Sequence, residues 1–329
     1  FSVTLITFTV ARTGLVEQQI SGNEYRAREA QQAAEAGLEY GIAWLAKNSP
    51  SWTAAGGFET AAPGAAAPAI VAGNGDTYTA TVTYRRSTAS NLTQRFVTIT
   101  ATATAAADPS ITATVRQTTF THTVLDPGFN EAPLVVNGCM SGISGNPDIY
   151  PAHGRPAIVT SQPAGCIDEG HLTIHNGGTI EGDAFDTTAW DYVFDITKAQ
   201  MQSLAAAEAA AGTPLAQRSY FWVTDPGPWH QSLGSPTRHV VLAFAAAAGC
   251  PKINGSPVIY GIIYYEHESA CDSEGWGGAT VYGGVVFESD LSKFTANPDL
   301  YAIDGVVGQD HLNLPPLDAV KVPGTWRDF

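Results

Sequence analysis

Four stretches of this 329-residue chain carry side chains whose types and spacing could do chemistry. In "HLTIH", His171 and His175 share one face of a strand with Glu169, while Leu172 and Ile174 take the other, because successive strand side chains alternate. Two histidines and a carboxylate are ligands a zinc ion accepts, although two histidines on a wet strand face are more often simply solvated. "CDSEGWGG" and "NPDLYAIDG" place Asp272, Glu274, Asp299 and Asp304 in glycine-containing loops. Oxygen-rich loops of this kind suit calcium, but the EF-hand spacing is absent, and solvated loop carboxylates are the commoner case. "SYFWVTDPGPWH" gathers Tyr220, Phe221, Trp222, Trp229 and His230 beside a Pro-Gly turn. Such a cluster makes either a ligand platform or, more commonly, core packing. No GxSxG, P-loop or dinucleotide-binding glycine pattern occurs, and no His, Ser and Asp spacing marks a triad. The sequence therefore assigns no catalytic residue and no cofactor; beside the two histidines, the candidate metal ligands are Asp272, Glu274, Asp299 and Asp304, which suit calcium.

The four cysteines flank two loop-rich regions. Four cysteines allow three pairings, and proximity along the chain favours Cys139 with Cys166 and Cys250 with Cys271. Disulfides belong to an oxidising compartment. No CxxC occurs, which argues against a zinc knuckle or redox motif. Formal net charge is −15, from 31 acidic against 16 basic residues. The first 48 residues are nearly balanced, so the acidic excess belongs to the rest. A body of that charge disfavours nucleic-acid binding through phosphates.

The elements that must position these groups are mostly strands. "DTYTATVTYRR" alternates Tyr78, Ala80, Val82 and Tyr84 against Thr77, Thr79, Thr81 and Thr83. "RFVTITATATA" and "SITATVRQTTFTHTV" alternate in the same way, and "AADPS" joins them as a hairpin. The Pro-, Gly- and Ala-rich run from Ser49 to Gly75 reads as a linker or long loop, and "LDPGFNEAP" as a boundary. Beyond it, short apolar runs recur with glycine: "YGIIYYE", "YGGVVFE", "DGVVGQD", about 22 residues apart. This spacing favours stacked turns of a short solenoid over strands of a mixed sheet. One helix interrupts, from Asp195 to Gly212, with Asp195 or Thr197 as N-cap and Gly212 as its stop.

The N-terminal region is the strongest helix signal. "NEYRAREAQQAAEAGLEYGIAWL" is rich in helix formers and free of proline. Projected at about 100° per residue, Val16, Ile20, Asn23, Ala27, Ala30, Ala34, Leu38, Gly41 and Leu45 form one seam. The seam is narrow and small-sided as far as Ala33. It then widens to an apolar arc of roughly 200° as Gly37, Tyr40, Ile42 and Trp44 join it. Glu35, Glu39, Ala43 and Lys47 stay on the wet face. The second half is thus expected to dock on a sheet, and the first half, Val16 to Ala34, to pack against other helices. "FSVTLITFTV" upstream is half of the roughly 20 apolar residues that a bilayer span needs. The expectation is that Phe1 lies inside a longer hydrophobic helix that begins upstream.

The succession of an apolar segment, "ARTGLVEQQISGN" and "QQAAEAGLEYGIAW", with "VPGTWRDF" at the other end, resembles type IV pilin-like proteins. It is closest to the PilX-like pilus assembly family. Mature pilins often begin with Phe and carry glutamate at the fifth position; here that position is Leu5. The resemblance implies an α+β fold, a long N-terminal helix packed on an antiparallel β-sheet, followed here by a larger β-rich, solenoid-like C-terminal domain. The expected divisions are 1–48 for the helix, 49–127 for the pilin-like sheet and 128–329 for the C-terminal domain. The implied function is a structural subunit of a type IV pilus or similar filament. Its implied partners are other pilin subunits, and the inner membrane before assembly. Its implied place is the cell surface. The alternative is a membrane-anchored adhesin, or a glycan-binding or solenoid enzyme. The scarcity of basic residues after Arg155 argues against the enzyme.

Overall fold

A computed structural model describes the chain apart from residues 1, 49, 74, 89–94, 274–275, 296, 304–311 and 313, and the side chains of 2–11, 272 and 273. It divides into two compact units: Phe1–His122 with Pro316–Phe329, and Thr123–Pro315. The expected boundaries placed 316–329 in the C-terminal domain. Instead this segment returns to the first unit, because its backbone completes an open sheet edge.

In the first unit, α1 (Ser2–Leu45) is followed by β1 (Thr53–Ala55), β2 (Phe58–Ala61), β3 (Ile70–Val71), β4 (Thr77–Ser87), β5 (Phe96–Ala105) and β6 (Thr112–His122). Every ladder is antiparallel, in the order β1-β2-β4-β5-β6, with β3 also on β4. The Tyr–Ala–Val–Tyr set of β4 is buried. Its threonines face outward, as a sheet covered on one face requires. The stretch read as a linker contributes β1, β2 and β3. Gly56 and Gly57, both at positive φ (60° and 82°), make the two-residue turn that pairs Ala55 with Phe58. On the far edge, Asp318–Lys321 and Arg327–Asp328 pair with β6. The buried Gln117 amide donates to Val322 O at 2.8 Å and to Thr325 Oγ1 at 2.6 Å, pinning the segment between them.

The strand ladders of the second unit are all parallel among the described residues. Tyr220–Val223, Val240–Phe244, Val258–Tyr265 and Thr280–Phe287 lie side by side. Thr280–Phe287 then serves two runs. Its first half pairs with Asp299–Tyr301, which continues to Asp148–Tyr150 and Thr173–Ile174. Its second half pairs with Leu134–Val136, which continues to Pro156–Thr160 and Thr179–Glu181. The bend falls at Gly283 (φ 143°), stacked on Gly261 (φ 141°). A Cβ at either would lie 2.0 or 1.9 Å from the backbone oxygen of the neighbouring strand, so only glycine fits. The recurring glycines of "YGIIYYE" and "YGGVVFE" are these corners. Inside, Phe244, Tyr265 and Phe287 stack at 5.0 and 4.9 Å. The disulfides join Cys139 to Cys166 and Cys250 to Cys271, with Cα separations of 5.1 and 5.7 Å. The helix expected from Asp195 spans Lys198–Ala210. Thr197 is its N-cap, in a capping box with Gln200, and Gly212 follows it at φ 68°. A five-residue helix, Ala189–Val193, was not legible beforehand.

Candidate functional site

The seam of α1 changes character at one turn. Residues 12–28 are all exposed, and burial begins at Glu29 and Ala30. From there Ala30, Ala33, Ala34, Leu38 and Leu45 are buried on the sheet with Tyr78, Val82, Tyr84 and Ile99. The helix sits close because it lacks side chains at the contact. A Cβ at Gly37 would be 2.5 Å from Ala80 Cβ, and one at Gly41 2.7 Å from Val82 Cγ1. Two tyrosines lock the register. Tyr84 donates to the Gly41 carbonyl at 2.9 Å, and Tyr78 to Glu29 Oε2 at 3.1 Å. Burial, then the Glu29 carboxylate, pushes the Tyr78 hydroxyl up to about 12. Burial likewise raises Tyr84. Glu39, on the wet face, pairs with Lys321.

The six seam residues therefore divide. Val16, Ile20, Asn23 and Ala27 are exposed, whereas Ala30 and Ala34 have no exposure at all. Sequence reading placed Ala30 and Ala34 on the free half. The structure docks them, because the closest approach of helix to sheet begins one turn earlier than the widening of the apolar arc. The exposed half is not polar throughout: Leu15, Val16, Ile20 and Tyr25 are 62, 46, 53 and 53% exposed. At 1.5 Å per residue, 12–28 is a rod of about 25 Å whose apolar side chains are left about half exposed among the described residues. Gly14 and Gly22 lie within it and have no neighbour within 4 Å of a Cβ.

The other candidates fall elsewhere. His175 Nε2 meets Asp148 Oδ1 at 2.7 Å and stacks on Tyr150, while His171 and Glu169 are exposed; the three do not converge. Asp299 neighbours Asp148 across paired strands. Burial and then Asp148 raise its carboxyl, against a lowering by His175. Glu274, Asp304 and the side chain of Asp272 lie outside the described residues. Among the described residues no group of three His, Cys, Asp or Glu side chains could hold a metal. Of the aromatic cluster, Tyr220 and Phe221 are buried, and Trp229 packs edge-on to Phe244 at 6.1 Å. Trp222 lies against Trp190, and only His230 is exposed. These rings are core packing.

Residues 2–39 match the family model described as PilX N-terminal, so this segment is type IV pilin-like, and it contains all six seam residues. Among solved structures, the competence-associated pilin ComZ from Thermus thermophilus aligns over 92% of this chain and 97% of that one. The identity is 10% and the TM-score 0.30, a likeness too loose to carry an argument. No curated protein matches the chain. No helix among the described residues is long and apolar enough to cross a membrane.

Proposed function

We propose that the chain is a structural subunit of a type IV pilus or pilus-like filament, assembling through the exposed half of α1. The observation that carries this reading is the stretch 12–28. It is helical and exposed, touching the sheet only at its end, where Arg26 lies 3.9 Å from Asp76 and its carbonyl accepts from Tyr78 at 3.5 Å; it bears half-exposed apolar side chains, and it lies inside the segment that matches the pilin-like family model. In the filament, Val16, Ile20, Asn23 and Ala27 face neighbouring helices. Small side chains at Asn23 and Ala27 let the axes approach. Covering the remaining exposed area of Leu15, Val16 and Ile20 contributes about 1 kcal/mol each, repeated at each subunit contact. Gly14 and Gly22 weaken the helix by roughly 1 kcal/mol each relative to Ala, which allows the rod to unwind locally as copies pack. The β-rich units face outward, at the pilus or cell surface.

The test is Ala27→Glu. Ala27 is exposed in the isolated chain, so the substitution leaves folding intact, yet in a packed helix core it buries an unpaired carboxylate, which is strongly unfavourable. The expected result is a normal amount of folded protein with surface filaments lost by electron microscopy. Filaments of normal number that contain the mutant subunit would remove the helix from the assembly interface. Ala30→Glu is a different experiment: Ala30 is in the sheet contact, and its charged variant loses the folded unit itself.

A further inference from the structure

The outward face of the first unit's sheet holds a half-open groove of about 560 Å³ that includes Arg85, Arg86, Arg116 and Arg327 in its lining. Four of the chain's 16 basic residues thus meet on one face of a protein with net charge −15. Arg86 is matched by Glu59, at 2.5 Å. Among the described residues, Arg85, Arg116 and Arg327 have no carboxylate partner. Arg85 and Arg116 are nonetheless held in place. The Arg85 guanidinium lies 3.8 Å over the Phe58 ring, and that of Arg116 5.1 Å over Phe329. Arg116 Nε also reaches Thr100 Oγ1 at 3.4 Å. Aromatic faces orient a guanidinium while leaving its N–H fork free. Arg327 and Arg116 are moreover direct cross-strand partners. Like charges in that position repel and weaken the pair, so the arrangement is unfavourable until an anion joins them.

We propose that this groove binds an acidic polysaccharide, the arginines taking its carboxylates or sulfates and the floor hydroxyls of Thr98, Thr100 and Thr118 taking its sugar hydroxyls. Bidentate guanidinium–oxyanion pairs are strong and geometrically selective, and threonine hydroxyls both donate and accept. The floor does not suit nucleic acid. Single-strand binders need open aromatic faces for bases. Here the Arg85 guanidinium takes one face of Phe58, and Phe96 packs edge-on to Phe120 at 5.0 Å, so the two rings, 40% and 41% exposed, offer no run of free faces on which successive bases could stack. The groove is remote in purpose from helix assembly and does not depend on it.

Binding of labelled oligosaccharides to the purified full chain tests this. The probes are oligogalacturonate (carboxylated), a heparin-derived hexasaccharide (sulfated), a neutral maltohexaose and a single-stranded oligonucleotide of equal charge. One or both acidic sugars should bind at one site, the tighter of them identifying the source of the oxyanion, and the neutral sugar should not. Arg85→Gln and Arg116→Gln should each weaken binding about tenfold, the loss of one charge-assisted pair. Lys47→Gln removes the same charge at an exposed helix end and should leave binding unchanged. Because Arg85 and Arg116 lie on different strands, each is an independent measurement, with melting temperature as the check on folding. Absence of binding by both acidic sugars, equal binding by folded arginine variants, or tighter binding of the oligonucleotide would each overturn the proposal.

Discussion

Gly37→Ala should loosen the α1–sheet contact even though alanine is the better helix former. Helix propensity alone favours the substitution by about 1 kcal/mol. Against it, the new Cβ falls 2.5 Å from Ala80 Cβ and 3.5 Å from Ala101 Cβ. Both are methyls on buried strands with no rotamer to change, so the helix must lift by nearly an ångström. Overpacking of this sort costs about 1–3 kcal/mol. Lifting also stretches the 2.9 Å bond from Tyr84 to the Gly41 carbonyl, and a weakened buried hydroxyl bond adds about 1 kcal/mol. The net expectation is a loss of about 1–3 kcal/mol. Hydrogen exchange read on peptides covering residues 29–45 should then accelerate by roughly five- to a hundredfold. Gly22→Ala is the internal contrast. Nothing lies within 4 Å of its Cβ, so only the propensity gain remains, and exchange in its own segment should slow by roughly fivefold. If Gly37→Ala also slowed exchange, the helix would not be seated on Ala80 and Ala101, and the division of α1 at Glu29 would fall with it.

Two further outcomes follow from the second unit's staples and the first unit's tyrosines. Non-reducing peptide mapping should recover Cys139 with Cys166 and Cys250 with Cys271, and replacing either pair should cost about 3 kcal/mol by the chain-entropy relation; crossed pairs would contradict the fold of that unit. Tyr78 has a folded value raised from 10.0 to about 12. Its contribution is therefore complete below pH 10 and is lost as pH rises from 10 towards 12. Tyr78→Phe should flatten the decline of stability over that window in alkaline denaturation, and an unchanged profile would show that the hydroxyl is not sealed under the helix.

How far these features could be read in advance depends on whether local pattern or distant partner fixes them. Tyr78, Ala80, Val82 and Tyr84 alternate with threonines, so the covered face of β4 is written in its own neighbours. The same holds for β5 and β6 and for Thr197 with Gln200. Ala27 and Ala30 are chemically identical and lie on one seam; what separates them is a contact with strands some 50 residues away. Asp318–Lys321 has no periodicity to announce a strand, and its partner β6 lies about 200 residues earlier. The Gly-Gly turn at Gly56 was an available signal, obscured by the proline and alanine around it. In the second unit the glycine spacing was visible, but its cause, close passage of Gly283 over Gly261, exists only once the strands are stacked.

The return of 316–329 to β6 has a consequence for how the molecule is made. Leu317 N is bonded to His122 O at 2.7 Å, so the whole of 123–315 is an excursion that leaves the first unit's sheet and comes back to the residue it left. A ribosome delivers that excursion before it delivers the strand that closes the sheet. Until then β6 presents unpaired backbone to any other strand, in a chain emerging at roughly 5–20 residues per second. Those last residues act as a latch on synthesis: a product stopped short of Asp318 carries an intact second unit and an open edge. The same geometry makes the excursion exchangeable, since a different body spliced between His122 and Pro316 would meet the sheet at the same two adjoining points.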